Sequence, residues 1–487
     1  MKHIIMVIAI LGLMALNLKA QDAATKQPQK FSLQEAVAYA KKYNYTLKNS
    51  SLEVLAAENK VKEILALGLP NITASGTFMN NIQVPTQSLP NFLKSTFVGS
   101  AMGQAEAQVK QQNPNATQAE IDAARKQAGD AVAKEIPDVL NAGFGRVYSL
   151  SGSIDASQLL FDGGFLMGLK ASKEYVNLSK INLKRTEVET EVSVSKSYYM
   201  TLMLQTKLEL VDVNLKALEK ASFDLTKLAE NGLIDKIESD RLILQLSSLQ
   251  LQKDQLVGDI KTLTMVLKLQ MGLNVNDNIE LSDDLMKMYA ASKTNVLPAK
   301  GDYTNRLEYQ MVNQGISLYK LDKKRYQYGY VPSLVAFMTH QQNSFGDKIG
   351  DLGTKFFPGT YWGLKLSIPV FDGFKKQAQI QQAEINIKKA ENDKKLLENA
   401  IDQEIFMYQA NFNRASRQLD IQKRNFELAQ EIFTRVNLKY TTGLGSSLDL
   451  TNAQRDLETA RSSYLNTMYD YFVAQLDLRK AIGDLNK

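Results

Sequence analysis

Two histidines and no cysteine limit what chemistry this 487-residue chain can carry out. His3 stands in an apolar N-terminal segment, so His340 is the one imidazole left to the body of the protein. A nucleophilic triad would have to be built on that residue alone, and a histidine-rich metal site has no ligands. Without cysteine there are no disulfides, no thiolate zinc or iron–sulfur centres, and no thiol nucleophile. The reading is of a protein that is not an enzyme and needs no metal or cofactor, with His340 as a surface side chain. The 16 methionines are scattered at helical spacing and read as core filler, not a metal path. Two aspartates are placed more tellingly. Asp162-Gly163 and Asp372-Gly373 each follow an alternating segment and precede a long helical one, so they read as a strand-to-helix corner with an acidic N-cap.

The elements that would position these residues fall into three kinds. Lys2 and His3 open the chain, Ile4 to Leu16 is apolar, and Ala20 precedes Gln21. That pattern predicts a secretory signal peptide over residues 1–20. Its removal leaves 56 basic against 52 acidic residues, a balance too even to suggest nucleic-acid binding. No later segment reaches 18 consecutive apolar residues, so a membrane-embedded part would have to be a closed β-barrel.

Long rods come next. Phe374 to Thr442 is 69 residues without glycine or proline, and Leu169 to Asn231 is 63. At 1.5 Å per residue the longer stretch predicts a helix of roughly 100 Å. Apolar residues recur at three- and four-residue spacing (Leu397, Ile401, Ile405, Tyr408; Leu419, Phe426, Leu428, Ile432), the pattern of coiled-coil-like packing. Strands form the third kind. Ile72, Ala74, Gly76 and Phe78 alternate with polar partners, as do Leu150, Ile154 and Ala156, and Trp362, Leu364, Leu366, Ile368 and Val370. Ser333 to His340 is a weaker fourth. One apolar and one polar face suits either an outer-membrane barrel, with Tyr148, Phe161, Tyr361, Trp362 and Phe371 as interfacial aromatics, or a small soluble sheet. Four strands cannot close a barrel, so a barrel requires several chains to share it.

The pattern occurs twice. Leu69-Pro70 is echoed by Val331-Pro332, Phe161-Asp162-Gly163 by Phe371-Asp372-Gly373, and Gly232-Leu233 by Gly443-Leu444. The intervals agree: Gly163 to Gly232 is 69 residues and Gly373 to Gly443 is 70. Asn44 to Pro70 is 26 and Asn305 to Pro332 is 27. Only the Pro-to-Asp-Gly interval differs, by about 52 residues that lie within 79–146 and include an expected helix from Thr117 to Lys134.

With the opening Phe31-Ser32-Leu33-Gln34-Glu35-Ala36 and Asn44, these paired signals resemble the TolC family of outer-membrane efflux and secretion channels along nearly the whole chain. The resemblance implies a mainly α fold with a membrane β-barrel part: a homotrimer with a shared 12-stranded barrel, four strands per chain, on a long α-helical periplasmic tunnel. It implies a first repeat over 21–271 with an extracellular insertion at about 79–146, an equatorial region at 272–302, and a second repeat over 303–487. It also implies the exit duct of a tripartite efflux pump or type I secretion system in the outer-membrane lipid. The duct would meet a periplasmic adaptor protein and an inner-membrane transporter, with no nucleic-acid partner. Carried over by position, Asp449 matches a gate aspartate, Asn452 stands where a second is often found, and Glu238 takes the equivalent place in the first half. Gly232, Leu233, Gly443, Leu444, Gly445 and Ser446 would form the adaptor-contacting tips. Read without the family, Asp449 and Glu238 are charges in a first helical turn, where the dipole favours anions. An exported coiled-coil adaptor or structural protein is the alternative, but it would carry one hairpin rather than a strand–rod pattern repeated twice.

Overall fold

The computed structural model describes residues 29–143, 145–292, 302–442 and 444–486. The expected signal peptide, Gly443 and residues 293–301 of the expected equatorial region lie outside them. In chain order the first half holds β1 (Gln29–Phe31), α1 (Leu33–Tyr43), α2 (Tyr45–Ala66), β2 (Asn71–Asn80), β3 (Thr86–Pro90), α3 (Phe92–Gln112), α4 (Gln118–Glu135), β4 (Val139–Gly143), β5 (Tyr148–Phe161), α5 (Gly163–Glu230) and α6 (Lys236–Met271). The second holds β6 (Ile279–Leu281), α7 (Leu285–Ser292), α8 (Leu307–Tyr328), β7 (Ser333–Gly346), β8 (Phe357–Ser367), α9 (Lys375–Thr441) and α10 (Ser447–Ala481). Residues 65–163 and 330–370 form one compact unit and the remainder another.

The helical unit is built on two rods of 68 and 67 residues, α5 and α9, each about 100 Å long. Each turns back into a shorter helix, α6 or α10, of 36 or 35 residues. Part-way along, Tyr198, Leu267, Met271, Leu285, Leu419, Leu465 and Met468 are completely buried in one core. There the chain's start is clasped to its middle. β1 pairs in parallel with β6, Tyr198 Oη donates to the Phe31 carbonyl (2.9 Å) and to Asp283 (3.0 Å), and Leu33 N donates to Asp283 (2.7 Å). Burial, and then the Asp283 carboxylate, hold the Tyr198 hydroxyl far above the usual phenol range. Asn44 joins the same region: its side chain accepts from Leu47 N at the start of α2 and donates to the Gln270 carbonyl at 2.6 Å. Of the expected coiled-coil positions, Ile401 and Leu419 are buried, whereas Leu428 and Ile432 remain exposed on the single chain.

The other unit is an antiparallel sheet of order β2-β5-β7-β8. Its register puts the apolar sets of the separate strands on one face. Ile72, Ala156, Met338 and Trp362 share a row, as do Ala74, Ile154, His340 and Thr360. The opposite face carries Thr73, Asp155, Thr339 and Tyr361 in one row and Ser75, Ser153, Gln341 and Gly359 in the next. β7 runs on to Gly346 and is an inner strand, longer than its weak alternation suggested. The irregularity has a cause: Phe337 lies on the polar face over Gly363, where a Cβ would come within 2.9 Å of its ring. β8 stops at Ser367, so Ile368, Val370 and Phe371 lie beyond the strand. Within residues 79–146, β3 and β4 pair as a separate two-stranded antiparallel sheet, and the chain between them forms the packed pair α3 and α4. Thr117 caps α4 through a capping box with Glu120.

Candidate functional site

The hairpin turns at the ends of the long rods are built alike. At the first, Gly232 takes a left-handed φ of 71° and Leu233 N donates to the Leu228 carbonyl at 2.9 Å. At the second, Leu444 N donates to the Lys439 carbonyl at 2.8 Å, across the same five-residue span. Both are Schellman-type closures that satisfy the last carbonyls of a helix. Leu233 and Leu444 are left 69% and 83% exposed, so neither packs its own turn. Gly445 has a different reason to be glycine, because a Cβ there would sit 3.0 Å from Tyr440 N.

Helix starts follow at once. Asp235 caps α6 through Ile237 N (2.9 Å) and Ser446 caps α10 through Asp449 N (3.1 Å). The Ser446 hydroxyl also donates to the Asp449 carboxylate at 2.9 Å. Asp449 is therefore fixed in the first turn of α10, exposed to solvent. Asn452 is half-buried one turn on. Glu238 is held from two sides: Arg241 lies 3.4 Å from one oxygen, and the Ser447 hydroxyl donates to the other. That contact joins the first turns of α6 and α10, residues 209 apart in sequence. The Thr226 and Ser239 hydroxyls pair at 2.9 Å, and Asn214 donates to Glu458. Burial raises the Glu458 carboxyl above its ordinary range, against the opposing pull of Arg461, Lys207 and Asn214. Near the tips a groove of about 480 Å³ is lined by Leu218, Leu225, Leu242, Phe433, Tyr440 and Leu450 among others.

The expected strand-to-helix aspartates are placed less alike. Asp372 accepts from Lys376 N and from Lys376 Nζ, both at 3.1 Å, and so satisfies a first-turn amide of α9. The N-cap itself is Phe374, in a left-handed conformation after Gly373, which is left-handed too. Asp162 sits directly between β5 and α5, whose first residue is Gly163. Among the described residues, no group of three or more histidine, aspartate or glutamate side chains could hold a metal ion, and no helix is long and apolar enough to cross a membrane. The cross-links between the two tips gave no signal in the sequence.

Comparison with known proteins agrees with this architecture. Residues 312–484 match the outer membrane efflux protein family. The outer membrane protein TolC of Vibrio cholerae is 22% identical over 353 residues, 69% of this chain and 77% of that protein. TolC of Escherichia coli K12 is 25% identical over 125 residues, 26% of this chain and only 25% of that protein's length. Among solved structures, the CmeC outer membrane channel of Campylobacter jejuni superposes with a TM-score of 0.64 at 14% identity, over 93% of this chain and 85% of that one. The mainly helical fold with a four-stranded antiparallel sheet is thus the fold of these solved outer-membrane channels, as the resemblance implied.

Proposed function

We propose that this chain, a member of the TolC-like outer membrane efflux family, is one third of an outer-membrane exit duct through which substrates delivered from the inner membrane pass passively. The observation that carries the reading is the open sheet. β2 and β8 are both edge strands, and Ile72, Phe78, Ile154, Trp362, Leu364 and Leu366 leave an apolar face exposed. A long exposed edge invites pairing with another chain, and an apolar face opposite a polar one is the wall of a transmembrane barrel. Four strands from each of three copies give twelve and close the sheet. The exposed Leu428 and Ile432 supply apolar surface for packing between neighbouring rods.

On this reading the repeats over 21–271 and 303–487 each contribute two strands and one helical hairpin, with the equatorial region at 272–302 between them. The insertion at about 79–146 lies outside the cell. The exposed leucines of the hairpin tips and the groove below them suit a helical-hairpin adaptor, itself coupled to an inner-membrane transporter. Asp449 is the gate residue best supported, because it is exposed and unpaired with any cation among the described residues. Glu238, neutralised by Arg241 and tied to Ser447, ties the two hairpins together and adds little field. Asn452 contributes no charge. No covalent chemistry is required of the protein. Outer-membrane fractions run unheated on denaturing gels test the assembly. A heat-sensitive band at three times the chain mass is expected, and a monomer in the soluble periplasmic fraction refutes the duct.

A further inference from the structure

Across the four strands of the sheet the only carboxylate is Asp155 and the only lysine or arginine is Lys365. Both stand on the polar face. Asp155 shares its row with Thr73, Thr339 and Tyr361, whereas Lys365 lies opposite Val335, four residues further along β8. The carboxylate is held in place: the Thr339 hydroxyl donates to Oδ1 at 2.7 Å and the Ser153 hydroxyl to Oδ2 at 2.8 Å, with Ser75 next in line at 2.9 Å from Ser153. Thr339 is itself buried. Lys365 makes no ion pair among the described residues.

Four residues along and two strands across put the two charges roughly 16 Å apart. That exceeds the Debye length of about 10 Å at 0.1 M salt, so neither neutralises the other in a water-filled space. We infer that Asp155 sets the ion selectivity of the barrel, as a fixed anionic tier with a separate cationic tier at Lys365. The inference rests on the trimeric reading above, which turns each residue into a set of three facing the lumen. For twelve tilted strands the side chains reach to roughly 10 Å from the axis. Three screened charges at that distance raise the cation-to-anion ratio on the axis roughly fivefold at 0.1 M salt. At 1 M, where the Debye length is about 3 Å, the bias vanishes.

The experiment is the reversal potential of the reconstituted trimer in planar bilayers under a KCl gradient centred on 0.1 M, and again on 1 M. Asp155→Asn keeps the acceptor for Thr339 and loses the charge. The K⁺-to-Cl⁻ permeability ratio is expected to fall roughly fivefold at low salt and to stay unchanged at high salt. Lys365→Gln is expected to move it the other way, and it carries the test by itself should Asp155→Asn not assemble. Reversal potentials equal to the wild type in both variants overturn the inference while leaving the duct standing, as does a shift that follows Asp449→Asn instead. A wild-type protein that never conducts removes the duct and the inference with it.

Discussion

Gly232 and Gly272 share a backbone state but not an environment, and this difference predicts unequal costs for one substitution. Both follow a long helix with a left-handed φ, 71° and 79°. At Gly232 an added Cβ meets nothing within 4 Å. At Gly272 it would stand 2.4 Å from the Tyr43 carbonyl oxygen and 2.6 Å from its carbon, in the contact that Asn44 also makes to Gln270. Gly232→Ala therefore carries only the left-handed penalty, about 1–2 kcal/mol. Gly272→Ala carries the same penalty plus a backbone displacement worth about 1–3 kcal/mol by analogy with overpacked cores, roughly 2–5 kcal/mol together. Backbone, unlike a flexible side chain, cannot swing aside. Thermal unfolding of both variants in detergent, followed by circular dichroism, checks the order. Gly272→Ala should melt well below Gly232→Ala or fail to assemble. Midpoints lowered equally would refute the argument that the close approach of Tyr43 matters.

The remaining expectations concern function and pH. Asp449→Ala should weaken block of the channel by divalent cations added on the tip side, read in planar bilayers; unchanged block removes Asp449 from the gate. Burial raises the Glu458 carboxyl, so the native state binds the proton more tightly than the unfolded chain does. Its favourable contribution is full below the unfolded value and is lost as pH rises through the raised one. Glu458→Gln should accordingly raise the melting temperature more at pH 8 than at pH 4, and a pH-independent shift would contradict this. Replacing residues 82–145 by a tight turn joins Asn81 to Arg146 where Asn81 N already donates to the Val147 carbonyl. The trimer should survive that deletion on unheated gels, and its loss would make the insertion part of the assembly.

Much of this architecture is readable from residue order alone, for reasons that also explain the failures. Two-residue alternation in Ile72–Phe78 and Leu150–Ala156 reports a sheet with one wet side, and the register confirms the shared face. The same rule underestimated β7, because Phe337 occupies a polar-face position that is open only because residue 363 on the next strand is glycine. The first insertion helix, Phe92–Gln112, contains Gly99 and Gly103, which lower its helical propensity and hide it from a sequence reading, whereas an N-cap residue at Asn115 or Thr117 marks the second. β1 and β6 are three residues each and too short to show any period. At the tips, the paired Gly-Leu signals marked both turns. The Glu238–Ser447 contact needs two helix starts brought together by tertiary packing, which no local pattern encodes.

The clasp between Phe31, Asp283 and Tyr198 also bears on the order in which the molecule can mature. Leu33 and its acceptor Asp283 are 250 positions apart, so a polypeptide threaded start-first has its leading strand without a mate until more than half of its length has emerged. Pairings between distant stretches are slow to form. Through that interval the opening residues depend on being kept apart from other nascent chains, and closing the clasp marks the moment when the first half is complete.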